Sequence, residues 1–255
     1  MILKEFDKGL AHIVVYENRV QMGEAAGKEI AEKIRELQET KEEVNIMFAA
    51  APSQNETLAR LIQEKGICWE RINAFHMDEY IGIPAGHATS FVTFLKKAVF
   101  DRVPLKQVYC LDCTAKDPDA EARRYEEVLK QFPLDLCILG IGENGHIAFN
   151  DPGVADFEDS RNVKVVAIDE RCKQQQVNDG NFAHISQVPP EAITVTVPGL
   201  TAAEYMYCVV PAATKAEAVK NLVTGEVSLS CPASILTRKK NARIYLDADS
   251  AKDIL

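Results

Sequence analysis

A chain of 255 residues, 47% hydrophobic and 26% charged, can bury a core without disulfide or metal staples, and its net charge of −9 excludes a surface built to neutralise nucleic-acid phosphates. It has no run of about 18 apolar residues, and Met1 to Asp7 lacks the basic-then-apolar order of a secretory leader, so a membrane partner is excluded and a cytoplasmic location is expected. Seven cysteines, an odd number, are then expected to be thiols, with Cys68, Cys137 and Cys208 acting as small hydrophobes among apolar neighbours; the C-x-x-C pair Cys110 and Cys113 lacks the further ligands of a zinc site.

In chain order, short apolar runs predict strands at His12 to Tyr16, Val44 to Ala49, Ile72 to His76, Gln107 to Cys110, Leu134 to Leu139, Val163 to Ile168, Ala192 to Val197, Glu204 to Val210 and Ala242 to Leu246. Amphipathic spacing predicts helices at Gln21 to Leu37 and near 54–65, 119–131 and 214–223. Alternation of the two kinds implies an α/β fold with one doubly wound, mostly parallel sheet and helices on both faces. Without a repeat or a long linker, residues 1–255 are expected to form a single domain, with one extended irregular stretch from about Gly142 to Asn162.

Ligands of such sheets bind beyond the carboxyl ends of the strands, which directs attention to three segments. After the second predicted strand, Ser53, Gln54 and Asn55 open a helix whose free N–H groups suit an anion; Ser53 or Asn55 is equally a plain N-cap. After the third, Asp78 and Glu79 are adjacent carboxylates of which one can face a pocket, making Asp78 a candidate general base or else a turn carboxylate. After the fifth comes Gly140-Ile141-Gly142-Glu143-Asn144-Gly145-His146, where glycines such as Gly145 allow close approach of backbone to ligand, and His146, with Asp151 five residues on, is a candidate proton carrier or a buried structural histidine. Lys215 opens a later helix and offers a cation to an anionic substrate, or is simply solvated.

Read together, Met77-Asp78-Glu79-Tyr80-Ile81-Gly82-Ile83-Pro84 and Gly142 to Pro152 resemble the two signature segments of the glucosamine-6-phosphate deaminases, and the likeness runs through almost the whole chain. The related 6-phosphogluconolactonases carry an Arg after the Asp-Glu pair, so Tyr80 and Ala148-Phe149-Asn150 favour the deaminase side. The resemblance implies conversion of a 2-amino-2-deoxyhexose 6-phosphate, glucosamine or galactosamine 6-phosphate, and water to a ketose 6-phosphate and ammonia through an enolamine. It implies a small sugar-phosphate ligand, no metal and no organic cofactor, and it leaves a homo-oligomer open.

Carried over residue by residue, Asp78 moves the proton between C2 and C1, His146 assists ring opening, Asp151 holds His146, and Asn144 stands beside the imidazole where the family often has an Asp. Asp151 itself replaces a more usual Glu and needs a small loop shift to reach His146. Pro52 to Glu56 departs from the Gly-rich phosphate loop, with Glu56 unfavourable unless it turns away. Gln176 falls where the family has a phosphate-binding arginine, leaving Lys215 as the main cation with Arg171 or Lys173 to compensate, and Asn162 and Lys164 match an allosteric site poorly, so no such activation is expected. The alternatives to a deaminase are a lactone hydrolase in which His146 activates water and a non-catalytic sugar-phosphate sensor.

Overall fold

The computed structural model describes residues 1–255. Its strands are β1 (Ile2–Lys8), β2 (Ala11–Tyr16), β3 (Val44–Phe48), β4 (Ile72–His76), β5 (Asp78–Tyr80), β6 (Gln107–Tyr109), β7 (Leu136–Leu139), β8 (Val163–Ala167), β9 (Glu191–Val195), β10 (Tyr205–Val210) and β11 (Ala242–Asp247). Its helices are α1 (Arg19–Thr40), α2 (Asn55–Leu61), α3 (Phe91–Leu95), α4 (Pro118–Gln131), α5 (Glu170–Asn178), α6 (Val197–Thr201) and α7 (Ala216–Thr224).

Eight strands form one sheet in the order β1-β2-β11-β10-β7-β3-β4-β6, parallel throughout except for the edge pair β1–β2. The expected doubly wound architecture is thus present. Its strands alternate strictly between two cores. Met47, Cys137, Leu139, Cys208 and Val210 face one side. Ile46, Phe48, Leu136, Ile138, Tyr207 and Val209 face the other, against α1 and α2. Burial on both faces is why these strands read as continuous apolar runs.

Two predicted strands, Val163 to Ile168 and Ala192 to Val197, lie outside this sheet. They form β8 and β9, which with β5 make a small antiparallel sheet in the order β5-β9-β8. The chain leaves the large sheet at Met77, whose carbonyl accepts from Val195 N–H at 2.8 Å, so the residue after β4 is handed directly from one sheet to the other. Apolar runs reveal strands but not their partners, and β5, three residues long, is too short to show a period.

α1 is capped by the Asn18 side chain, which accepts from Gln21 N–H at 3.0 Å, and buries Met22, Ala26, Ile30, Ile34 and Leu37. On its α2 side, a Cβ at Gly23 would stand 2.4 Å from Glu56 Cβ and one at Gly27 would stand 2.7 Å from Thr57 O, so only glycine lets the helices meet. All seven cysteines are free; Cys137 and Cys208 are buried as expected, whereas Cys68 is exposed because it ends a surface loop rather than sitting in a strand. No helix is long and apolar enough to cross a membrane.

Candidate active site

At the carboxyl ends of β3, β4, β7 and β10 a cleft opens between the large sheet and the small one. Ala49 to Ala51 and Ser53 enter it after β3, Met77 and Asp78 after β4, Gly140 to Gly142 and His146 after β7, and Lys215 after β10. A fourth side comes from α5 and the turn beyond it through Gln176, the position where the resembled family has a phosphate-binding arginine, and through Gln175, Asp179 and Asn181, which carry no recognisable pattern in the sequence. Gln175, Gln176 and Asp179 do share one helical face, a spacing that would have flagged them had α5 been predicted.

Asp78 is held from behind by its own backbone. His76 is buried; its Nε2 accepts from Leu111 N–H at 2.9 Å, so the ring proton is assigned to Nδ1, which donates to the Asp78 carbonyl at 2.9 Å. The Tyr125 hydroxyl donates to the His76 carbonyl at 2.8 Å and accepts from its N–H at 3.1 Å. Burial lowers the His76 pKa to about 4, which keeps the ring neutral and suited to this double role. The Asp78 carboxylate faces the cavity without a hydrogen-bond partner in the chain, and burial, aided by the charge of Glu79, holds its pKa well above the usual carboxylate range.

Glu79 points the opposite way. Its carboxylate accepts from Ser90 Oγ at 2.7 Å and from the N–H groups of Tyr80, Phe91 and Val92 at 3.0, 3.2 and 3.1 Å, capping α3. The alternation of a strand separates the two neighbours into a pocket carboxylate and a structural one. Phe91, at the start of the capped helix, stacks on Phe149 at 5.7 Å, and both rings line the cavity.

The loop after β7 folds back on itself, with Gly142 N–H donating to the His146 carbonyl at 2.9 Å. His146 Nδ1 lies 2.8 Å from Asp151 Oδ1 and 2.8 Å from Asn144 Oδ1; both are acceptors, so Nδ1 carries the proton and Nε2 is left free. Asn144 Nδ2 in turn donates to Asp151 Oδ1 at 2.9 Å. The short Asp151 therefore reaches the ring, and Asn144 cross-links the pair. Burial raises the Asp151 pKa, but the hydrogen bond and charge of His146, with Asn144 and the Asp169 N–H, outweigh it and leave the carboxyl below its ordinary value. Gly142 is required here: a Cβ would lie 2.1 Å from the imidazole Cε1. Gly145, at φ +87°, turns the loop and packs on Cys231 rather than lining the cavity.

Cys172 completes a buried trio with His146 and Asp151 whose ligand-type atoms all lie within 4.8 Å of one another. The hydrogen-bonded Nδ1 proton already occupies the space between His146 and Asp151, and a metal there would displace it.

The segment after β3 behaves unevenly. Ser53 reaches the cavity; Gln54 is buried, its Nε2 bonded to Ser53 Oγ at 3.0 Å and to the carbonyls of Leu139 and Val209 at 3.4 Å, and Asn55 is exposed at the start of α2. Glu56 turns away from the cavity into a two-point pair with Arg19 at 2.8 and 2.9 Å. Lys215 is buried in the wall; burial lowers its pKa, partly offset by Asp179 and Glu143. It is carried by a turn in which Ala212 takes φ +84°, anchored by its N–H on the Asp247 carboxylate at 3.1 and 3.2 Å. Arg171 and Lys173 do not reach the cavity, being paired with Glu217 and Glu170.

Residues 17–246 match the family model described as glucosamine-6-phosphate isomerases/6-phosphogluconolactonase. The chain is 34% identical over 239 residues to a glucosamine-6-phosphate deaminase of Bacillus cereus (strain B4264), covering 94% of this chain and 87% of that protein. The same figures hold for the Bacillus thuringiensis (strain Al Hakam) deaminase. Among solved structures, a monomeric glucosamine-6-phosphate deaminase superposes with a TM-score of 0.85 at 25% identity, covering 94% of this chain and 98% of that one. A Trypanosoma brucei 6-phosphogluconolactonase shares the fold at a TM-score of 0.76 and 18% identity, over 99% of this chain and 100% of that one.

Proposed function

Because the chain belongs to the glucosamine-6-phosphate isomerase/6-phosphogluconolactonase family, we propose that its cavity carries out the deaminating isomerisation of an amino-sugar 6-phosphate. It is an enzyme of the deaminase type, acting on a small sugar phosphate to give a ketose 6-phosphate and ammonia. The observation that carries this reading is the Asp78 carboxylate, unpaired and desolvated, lining the same cavity as His146, whose Nε2 is left free.

His146, with Nδ1–H fixed by Asp151 and Asn144, takes the proton of the C1 hydroxyl at Nε2 and delivers one to the ring oxygen, opening the sugar. Asp78 then removes the C2 proton; the electron pair left on C2 forms the C1=C2 bond of the enolamine, and the C1 oxygen, as its carbonyl bond opens, takes up a proton given by the substrate's ammonium group. The same carboxyl, by rotating, returns that proton to C1. The resulting C2 imine adds water and releases ammonia, leaving the ketose. A partly desolvated carboxylate is a stronger base than an exposed one, which suits it to a carbon acid.

Lys215 and the Ser53 hydroxyl, with the helix-opening turn after β3, supply the phosphate contacts. Incubation with glucosamine 6-phosphate and galactosamine 6-phosphate, measuring ammonia and ketose phosphate together, tests the reading and names the preferred epimer. Formation of neither product, or full activity in Asp78→Asn, would sink it.

A further inference from the structure

The cavity wall around Lys215 has an uneven charge balance. Lys215 is the only cationic side chain that lines the cavity, and Asp179 lines it as well, its carboxylate 3.4 Å from Gln175 Nε2. Nothing else positive is available: Arg171 is committed to Glu217, Lys173 to Glu170 at 2.6 Å, and Arg19 to Glu56 at 2.8 Å. Gln176 offers a neutral amide. Its Oε1 accepts from the Tyr80 hydroxyl at 2.6 Å and from Asn181 Nδ2 at 2.9 Å, which leaves its Nε2 as a donor for a ligand.

An ester group arriving beside Lys215 therefore meets one positive charge, one negative charge and neutral donors from Gln176 and Ser53. A singly charged ester is neutralised by Lys215 and hydrogen-bonded by the amide and hydroxyl. A second negative charge finds no cation and is repelled by Asp179 in a site where solvent screening is reduced.

Resting on the deaminase reading, we propose that Asp179 makes this enzyme selective for an amino sugar whose 6-substituent carries a single negative charge, a sulfate ester or a singly protonated phosphate ester, over the phosphate dianion. Asp179 is then a specificity residue of the site, touching the distal group of the substrate rather than the reacting carbons.

The test uses the Asp78→Asn protein, which binds without turning substrate over, titrated calorimetrically at about pH 8, where a phosphate ester is mostly dianionic. The ligands are glucosamine 6-sulfate, glucosamine 6-phosphate and glucosamine. The sulfate ester is expected to bind about tenfold more tightly than the phosphate ester, and adding Asp179→Asn to remove that preference by strengthening phosphate binding about tenfold. Adding Asp179→Glu instead, which keeps the charge, retains the preference and guards against a purely structural effect at the end of α5. Tighter binding of phosphate than sulfate, phosphate binding unmoved by Asp179→Asn, or binding of neither ester overturns the proposal. Ammonia release by the unaltered enzyme is read separately: its absence defeats the deaminase reading, whereas a phosphate preference defeats only the selectivity.

Discussion

At the scale of single residues, chemistry rests on groups whose neighbours fix their protonation. Asp78→Asn removes the proposed base while keeping its size, and kcat is expected to fall about 10³-fold in an ammonia-release assay, with little change in KM. Because burial raises the Asp78 pKa, the carboxylate needed for proton abstraction is lost on acidification earlier than an ordinary aspartate would be. The acid limb of kcat/KM should accordingly lie above the usual carboxylate range; a profile flat down to about pH 4 would count against Asp78 as the base. Gly142→Ala places a methyl where the imidazole now lies, so activity should drop at least about 100-fold while far-ultraviolet circular dichroism stays unchanged. Asp78, His146 and Asp151 were legible in the sequence because short motifs carry residue type and spacing. The roles of Gln54, a buried plug rather than a ligand contact, and of Asp179 were not, since both depend on which way a side chain points.

At the scale of elements, turns and caps place these groups. Glu79 satisfies three donors at the opening of α3 and the N–H of Tyr80 in β5, so Glu79→Ala leaves buried N–H groups without partners and should cost about 3 kcal/mol in urea unfolding. Glu79→Gln, which retains the acceptor oxygen, should lose less. The turn that presents Lys215 holds Ala212 in the left-handed region, a conformation costing about 1–3 kcal/mol that the Asp247 carboxylate secures. Asp247→Ala should raise KM for the phosphosugar several-fold through Lys215 while leaving kcat nearly constant, a split that steady-state kinetics resolves.

Across the whole molecule, the buried imidazole of His76 links stability to pH. Its folded pKa is depressed from 6.5 to about 4, so the stability it confers is complete above pH 6.5 and is lost as pH falls through that window, when the unfolded chain takes up a proton the native state refuses. That linkage amounts to about 3 kcal/mol. Comparing urea unfolding of the parent and His76→Gln between about pH 7.5 and pH 4 checks it: the variant should start less stable yet lose stability less steeply.

The sequence by itself determined the alternation of strands and helices, the two-sided burial of the large sheet and the two motif loops, because hydrophobic period and local residue type are properties of contiguous chain. It missed β1, an edge strand paired only with β2 and mostly exposed, and it missed the short α3 and α5. Only the tertiary structure decided that β8 and β9 leave the main sheet to join β5, that Glu56 spends its charge on Arg19, and that α5 brings Asp179 into the wall shared with Lys215. These are contacts between segments tens to hundreds of residues apart, set by how packed layers meet rather than by anything a local pattern encodes.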